Sequence, residues 1–519
     1  MTTHMTRTTP SRSARALWLL AAALLLTSAT QADAQGRSAH LSNDLKRHLD
    51  AGDQATTTVI VTGDAAEVDR LAARHGLRVR RRLTSGAVLE VPAGRLAEVA
   101  DDPDVPQLSG DHVVRGQMAV TDVSIGADQV WSSDFGRGHN GITGKGVGVA
   151  VLDSGLTMVP ELVGQVRASV DIINPRGNGR DEWGHGTHVA GIIAAAGSQA
   201  QNQTRGVAPG ASIVSVKVLG ADGSGHISDL IEGIDWVIAN RKRYSINVIN
   251  LSVGAPVEQS WRDDPVCQAI ERAWRLNIVT VAAAGNMGKT DDGKEILGGV
   301  TSPGNCPYAI TAGAVNTKGT AFRSDDAIAT YSSRGPTAID HLLKPDLLAP
   351  GNKIRSLLAP GAGIAREYPE KVIGSGPGAT LELSGTSMSS AVVAGAAALI
   401  LDNYPKAGPE VVRALLQRGA ENIAGVGIAR QGAGSLNVIA SLGFGNGKRG
   451  RIVPTTEVAG EMVTAKGVVL LNSDLCRGSA TTVPASKSEK EICANTLVWG
   501  DTLVWGDTLV WGDTLVWGD

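Results

Sequence analysis

Short, nearly unbroken apolar runs recur through the middle of the chain. Val147–Leu152, Ile213–Val218, Val248–Leu251, Ile278–Ala283 and Ala309–Ala314 lack the alternation of a strand with one wet face. Such runs suit strands of a parallel sheet covered on both faces. Helical patterns fall between them at His188–Ala196, Ser228–Asn240 and Pro265–Leu276, and after them at Ala391–Asn403 and Pro409–Arg418. This alternation predicts an α/β fold, a doubly wound parallel sheet in one domain of about 300 residues. The pattern ends near Leu442, and Gly443–Gly450 reads as a Gly-rich, basic linker.

A smaller unit precedes the sheet. Thr56–Thr62 reads as a strand, Ala65–His75 as a helix, and Leu77–Leu83 and Ala87–Val91 as strands. Ala93–Ala100 reads as a second helix, followed by a weak strand near Val105–Val114. The β-α-β-β-α-β order is a small α+β ferredoxin-like pattern. By itself it carries no set role. Residues 35–54 read as a polar lead-in.

The N-terminus has the layout of a secretory signal. Arg7, Arg12 and Arg15 precede an apolar run from Ala16 to Leu26, and Ala32-Asp33-Ala34 supplies a small-x-small cleavage pattern. The run is short of the ~20 residues that a membrane span needs. The chain therefore divides into a signal (1–34), a first unit (35–117, core 55–114), the α/β domain (118–443), an extension (444–494) and a repeat tail (495–519). The expected location is outside the cell or at its surface.

Composition narrows the class further. Apolar residues make up 42% and charged residues 19%, which suits a folded chain rather than a disordered one. The formal net charge is −3, so no basic excess points to nucleic acid. The 64 glycines follow no one-in-three period and imply many tight turns. Four cysteines (Cys267, Cys306, Cys476 and Cys493) in an exported chain permit two disulfides, with three pairings open. No Cys/His spacing suggests zinc, and no metal site is expected.

Four polar positions stand at strand ends or helix starts. Asp153 closes Val149-Ala-Val-Leu-Asp153 at the carboxyl end of a strand, where α/β sheets place functional groups. Alone it could merely shape a turn. His185 opens His185-Gly-Thr-His-Val-Ala-Gly191, whose small residues admit a close backbone approach. His185 and His188 at this spacing raise a metal pair, but no HExxH context or third ligand accompanies them. Asn286 ends Ala282-Ala-Ala-Gly-Asn286 and is either a turn residue or a donor to a developing oxyanion. Ser387 lies in Gly385-Thr-Ser-Met-Ser-Ser390, immediately before an apolar helix. It is either an N-cap or a nucleophile whose neighbouring N–H groups favour a charged oxygen.

In the order Asp, His, Asn, Ser, these segments resemble the subtilisin family of serine peptidases. Val216–Gly225, Val248–Gly254 and Lys344–Gly351 are similar to further segments of that family, and the likeness spans about residues 120–443. Residues 55–114 resemble its inhibitory propeptide. The resemblance implies that Ser387 attacks a peptide carbonyl, His185 acts as base and acid, and Asp153 orients His185. Asn286 and the Ser387 N–H would form the oxyanion hole. Gly223-Ser224-Gly225 and Ser252-Val253-Gly254 would be two backbone rails for an extended substrate, with Met287 and Thr301 at the rim and base of a moderately sized apolar pocket. The implied partners are a protein or peptide substrate and the chain's own propeptide, and a monomer is expected. Cys267–Cys306 and Cys476–Cys493 are the expected pairs: the helix of Cys267 and the turn of Cys306 should pack near one sheet edge, and Cys476 and Cys493 bracket a short polar loop.

The chain departs from the family in places. Ala391 stands where Pro is usual and Val392 where His is common. Gly197–Arg205 does not match the familiar calcium loop and holds no carboxylate, so calcium there is unsupported, and no cofactor is required for the chemistry. The tail, Asn495-Thr-Leu-Val-Trp-Gly500 followed by three Asp-Thr-Leu-Val-Trp-Gly hexads, places Leu and Trp on one side of an extended strand. Its evenly spaced Trp499, Trp505, Trp511 and Trp517 suit a surface partner. Two other readings compete with a secreted peptidase: an inactive binding protein on the same fold, and an adhesin acting through the tail.

Overall fold

The computed structural model describes residues 39–52, 55–111, 113–116, 123–132, 141–196, 205–320 and 323–443, with seven short strand segments beyond them. The signal region, the boundary at 117/118, residues 197–204, the linker at 444–450, Cys476 and Cys493 lie outside the described residues.

The first unit is a five-stranded sheet in the order β1-β5-β2-β4-β3. Its strands are β1 (His40–Leu41), β2 (Thr57–Thr62), β3 (Arg78–Leu83), β4 (Gly86–Val91) and β5 (Gln107–Gly110). Helices α1 (Asn43–Asp50), α2 (Ala65–His75) and α3 (Leu96–Ala100) accompany it. Local chemistry sets the ends of α2. Asp64 and Glu67 form a reciprocal capping box, and Gly76 ends the helix in the left-handed region at φ 60°. The stretch read as a polar lead-in forms β1 and α1 instead. Leu41 and Leu45 are buried there against the sheet, an attachment that two isolated apolar residues do not signal.

The large sheet has the order β15-β14-β13-β11-β7-β9-β8, with β16 also on β14. Its strands are β7 (Gly148–Asp153), β8 (Val166–Asp171), β9 (Ser212–Lys217), β11 (Ile246–Leu251), β13 (Val279–Ala283), β14 (Ala309–Asn316), β15 (Ala327–Ile328) and β16 (Leu347–Pro350). All pairings are parallel except β14 with β15. This is the doubly wound sheet that the apolar runs predict. Apolar clusters cover both faces, which explains why β7 is buried along its whole length. Strand order reverses between β7 and β11, so their carboxyl ends open a crevice at the switch point.

Four helices matter to that crevice: α4 (His185–Ala194), α5 (Ile227–Asn240), α6 (Pro265–Arg275) and α7 (Thr386–Asn403). Two begin earlier than their apolar patterns. α4 starts at His185 rather than His188, and α7 at Thr386 rather than Ala391. Both first turns are mostly polar or small yet enclosed, so hydrophobic periodicity misses them. Cys267 on α6 is bonded to Cys306, both buried. No helix among the described residues is long and apolar enough to cross a membrane.

A separate three-stranded sheet joins the two units. β6 (Val113–Gly116) lies between β10 (Ser224–His226) and β12 (Val253–Gly254), antiparallel to both. The single weak strand expected near Val105–Val114 is thus two, β5 and β6, in different sheets. In the tail, Val498 and Trp499 pair in parallel with Val510 and Trp511, and Val504 and Trp505 with Val516 and Trp517. Each hexad therefore pairs with the next but one.

Candidate active site

Asp153 is the last residue of β7 and is wholly buried. Its Oδ1 accepts from the Ser154 N–H at 2.7 Å and lies 2.7 Å from His185 Nδ1. His185 opens α4 and is equally buried. The close approach depends on Gly186. A Cβ there would stand 2.2 Å from the Gly155 carbonyl oxygen and 3.2 Å from Asp153 Cβ. Any side chain would push α4 off the end of β7.

His188 takes no part in this contact. Its Nε2 donates to the Leu381 carbonyl at 3.0 Å. Burial, reinforced by the nearby His185, pushes its pKa down to about 3. It is a neutral packing residue, and among the described residues no cluster of three or more His, Cys, Asp or Glu is placed to hold a metal.

Ser387 occupies the first turn of α7, inside the helix rather than before it. Its hydroxyl donates to the Ser252 carbonyl at 3.1 Å. In return the Ser252 hydroxyl donates to the Ser387 carbonyl at 2.8 Å, so the nucleophile candidate is tied to the rail beside it. The helix N-terminus supplies N–H groups and a positive dipole end at this position. α7 packs against α4, which brings the His185 and Ser387 helices together over the crevice.

Asn286 lies just beyond β13. Its Oδ1 accepts from the Thr386 N–H at 2.9 Å and the Thr386 hydroxyl at 3.2 Å. The Thr386 hydroxyl in turn accepts from the Gly285 N–H at 3.0 Å. These bonds to its oxygen fix the orientation of the Asn286 amide beside Ser387. In the sequence Thr386 is one small residue in a run of them, with nothing local to mark it. Its neighbour across the crevice is 100 positions away.

A cavity of about 670 Å³ adjoins Ser387 and Asn286. Val253, Gly254, Ile296 and Val300 are among its mainly apolar walls, and Met287 and Thr301 line it too. Met287 is exposed and belongs to the rim. The Thr301 N–H donates to the Ala284 carbonyl at 3.0 Å, which fixes its place at the wall. Ile296 is a pocket residue that sequence reading missed, because it belongs to the 287–300 loop, which has no periodic pattern.

The rails hold a strand already. Ser224, Gly225 and His226 pair with Arg115, Val114 and Val113, while Val253 and Gly254 pair with Gly116 and Arg115. The Asp111 carboxylate accepts from the Ser228 N–H and hydroxyl, each at 3.0 Å. The paired strand of the first rail is Ser224–His226, so Gly223, expected within it, stands immediately before it at φ 74°, with Trp183 packed where a Cβ would be.

A buried carboxylate against an imidazole, a serine at a helix start, an amide beside it and a strand pair that holds an extended chain make a constellation suited to acyl transfer. Residues 144–446 match the model of the subtilase family. The chain is 38% identical to the serine protease AprX of Bacillus subtilis over 58% of its own length and 67% of the relative's. It is 32% identical to the extracellular serine proteinase of a Thermus species (70% and 78% covered) and 31% identical to subtilisin E of Bacillus subtilis (75% and 89%). The chain belongs to the subtilase family and is a subtilisin-like serine endopeptidase.

Proposed function

We propose that this chain hydrolyses peptide bonds through Ser387, His185, Asp153 and Asn286, and that it is made as an exported, self-processed precursor. Ser387 Oγ attacks the carbonyl carbon while His185 takes its proton, and the tetrahedral oxyanion is met by the Asn286 amide and the Ser387 N–H. His185 then protonates the leaving amine, and water resolves the acyl-enzyme by the same route in reverse. Asp153 holds the imidazole in the tautomer that presents Nε2 and stabilises the imidazolium. None of these steps requires a cofactor.

The observation that carries the reading is β6 lying between the two rails. Antiparallel main-chain pairing recognises an extended peptide with little regard to side chains, so specificity falls to the pocket beside Ser387. Its apolar walls, with the Thr301 hydroxyl among them, suit uncharged side chains of moderate length. The pairing of Val253 with Gly116, the last residue of β6, also supports self-cleavage close to the end of that strand, between about residues 114 and 118. The first unit is then an intramolecular inhibitor. Arg81 paired with Asp229, and Arg47 with Glu258 at 2.8 Å, support a specific seat for it.

Export rests on the signal-like N-terminus, and the tail is read as a binding or retention segment dispensable for catalysis. Labelling with a serine-directed phosphonate tests the central claim. Wild-type protein should be labelled at Ser387, and a folded, processed chain that resists labelling would overturn it. Truncation after Cys493 should leave peptide hydrolysis intact, and its loss would place the tail in the catalytic fold.

A further inference from the structure

Asp181 is a carboxylate enclosed in the protein, only 1% exposed, and distinct from Asp153, His185, Asn286 and Ser387. Four neutral donors meet it. Ser154 Oγ and the Gly184 N–H reach Oδ1 at 2.8 and 2.6 Å. The Thr187 N–H and hydroxyl reach Oδ2 at 2.8 and 2.7 Å. Burying a charge without a cation against it is costly even when it is fully hydrogen-bonded. The placement of the donors suggests what that cost secures.

Gly184 and Thr187 flank His185 at the start of α4, where the N–H groups have no partner inside the helix. Ser154 follows Asp153, and its own N–H donates to Asp153 Oδ1 at 2.7 Å. The Ser154 hydroxyl also accepts from the Gly186 N–H at 2.9 Å. One carboxylate therefore grips both sides of the contact between Asp153 and His185, the strand end through Ser154 and the helix start directly.

We propose that Asp181 is a positioning residue for the Asp153–His185 pair, acting through Ser154 and the first turn of α4, and that its charge helps His185 to hold a proton in the transition state. The proposal rests on the reading of His185 as general base. The charged and titratable groups around that pair are Asp153 on β7, His188 on α4, and Lys217 on β9 with its partner Glu182. Lys217 Nζ donates to the Ser154 carbonyl at 2.6 Å and to Glu182 at 2.8 Å, so Lys217 is engaged behind Ser154. Burial pushes the Asp181 pKa up, and the hydrogen bonds from Thr187, Gly184 and Ser154 oppose that shift. Ionised, Asp181 adds a negative charge in a dry setting, where charge acts over a longer range than in water. The imidazolium gains from it.

The test compares kcat, KM and the pH profile of kcat/KM for wild type, Asp181→Asn, Ser154→Ala and the double variant. Asp181→Asn keeps the shape but turns a donor toward a donor and removes the charge. It should lower kcat by roughly 10- to 100-fold with KM nearly constant, and should move the acidic limb of the profile to lower pH. Ser154→Ala should lower kcat less, and the double variant should be no worse than Asp181→Asn, because both act along one route. An acidic limb that stays in place while only thermal stability falls, or single effects that multiply in the double variant, would overturn the proposal. Should Asp181→Asn fail to fold, Ser154→Ala decides, and unchanged kcat there is equally fatal. Phosphonate labelling of the wild type separates the two levels. Without labelling at Ser387 the underlying reading fails, whereas labelling with an unmoved profile refutes the role of Asp181 alone.

Discussion

His185 Nδ1 and Asp153 Oδ1 stand 2.7 Å apart with neither side chain exposed to solvent. In so dry a place the carboxylate fixes the tautomer, since only a protonated Nδ1 can face it. Asp153→Asn preserves the shape and lets the wrong nitrogen carry the proton. We predict a fall in kcat of about 10⁴-fold, the size known for enzymes with this triad, at nearly constant KM. Steady-state kinetics on a peptide substrate checks this, and a loss below tenfold would contradict it.

Ser387→Ala and Asn286→Ala should differ by orders of magnitude. Removing the nucleophile should cost about a million-fold in kcat, and removing one oxyanion donor about 100- to 1,000-fold. Both figures are carried over from subtilisin-type enzymes. Thr386→Val, which removes one anchor of the Asn286 amide, should fall short of the Asn286→Ala loss. Burst kinetics on an ester substrate would show whether acylation is the step that slows.

Ser387→Ala should also accumulate as an uncleaved precursor. N-terminal sequencing of processed wild type should find a start between about residues 115 and 118, and a start before Val105 would contradict self-cleavage in the crevice. Arg81 pairs with Asp229, which is almost fully covered, and more weakly with Glu232 at 3.4 Å. Arg81→Ala leaves those carboxylates without their cation and should shorten the lag between processing and full activity by about an order of magnitude. An unchanged lag would show that the pairing contributes nothing to inhibition.

The Cys267–Cys306 bond closes a loop of sequence separation 39 between α6 and the turn before β14. Replacing both residues by Ala should destabilise by about 2–4 kcal/mol, chiefly by freeing the unfolded chain. Calorimetry of an inactive variant measures this without self-digestion. No change in Tm would mean that the loop is held by packing alone.

Stability should vary with pH through Asp326. Burial pushes its pKa up to about 6, and its Oδ2 accepts a single long hydrogen bond from Ser435 at 3.3 Å. An unfolded aspartate titrates near 4. Between about pH 4 and 6 the folded chain binds the extra proton, so this group's contribution falls as pH rises and stays low above about 6. Asp326→Asn should raise Tm by a few degrees at pH 8 and leave it nearly unchanged at pH 4. An equal shift at both values would rule out titration as the cause.

Local pattern alone determined a good part of this protein. The buried strands β7, β9, β11, β13 and β14 are legible because each is an apolar run of the right length, and the capping box of α2 is legible because its partners are three residues apart. Asp153, His185, Asn286 and Ser387 stand out as candidates because strand ends and helix starts are local events. Only the tertiary structure decided the rest. It split the weak strand after Val105 into β5 and β6, since pairing between two rails leaves no hydrophobic period. It folded residues 40–50 into β1 and α1 against the first unit's sheet, put Ser387 inside α7 and selected Ile296 for the pocket. It also joined Ser252 to Ser387 across 135 positions and Asp181 to Ser154 across 27. Hydrophobic periodicity reports which side of a segment is dry. It is silent about which distant hydroxyl, amide or carboxylate a polar group will meet once the strands have taken their order.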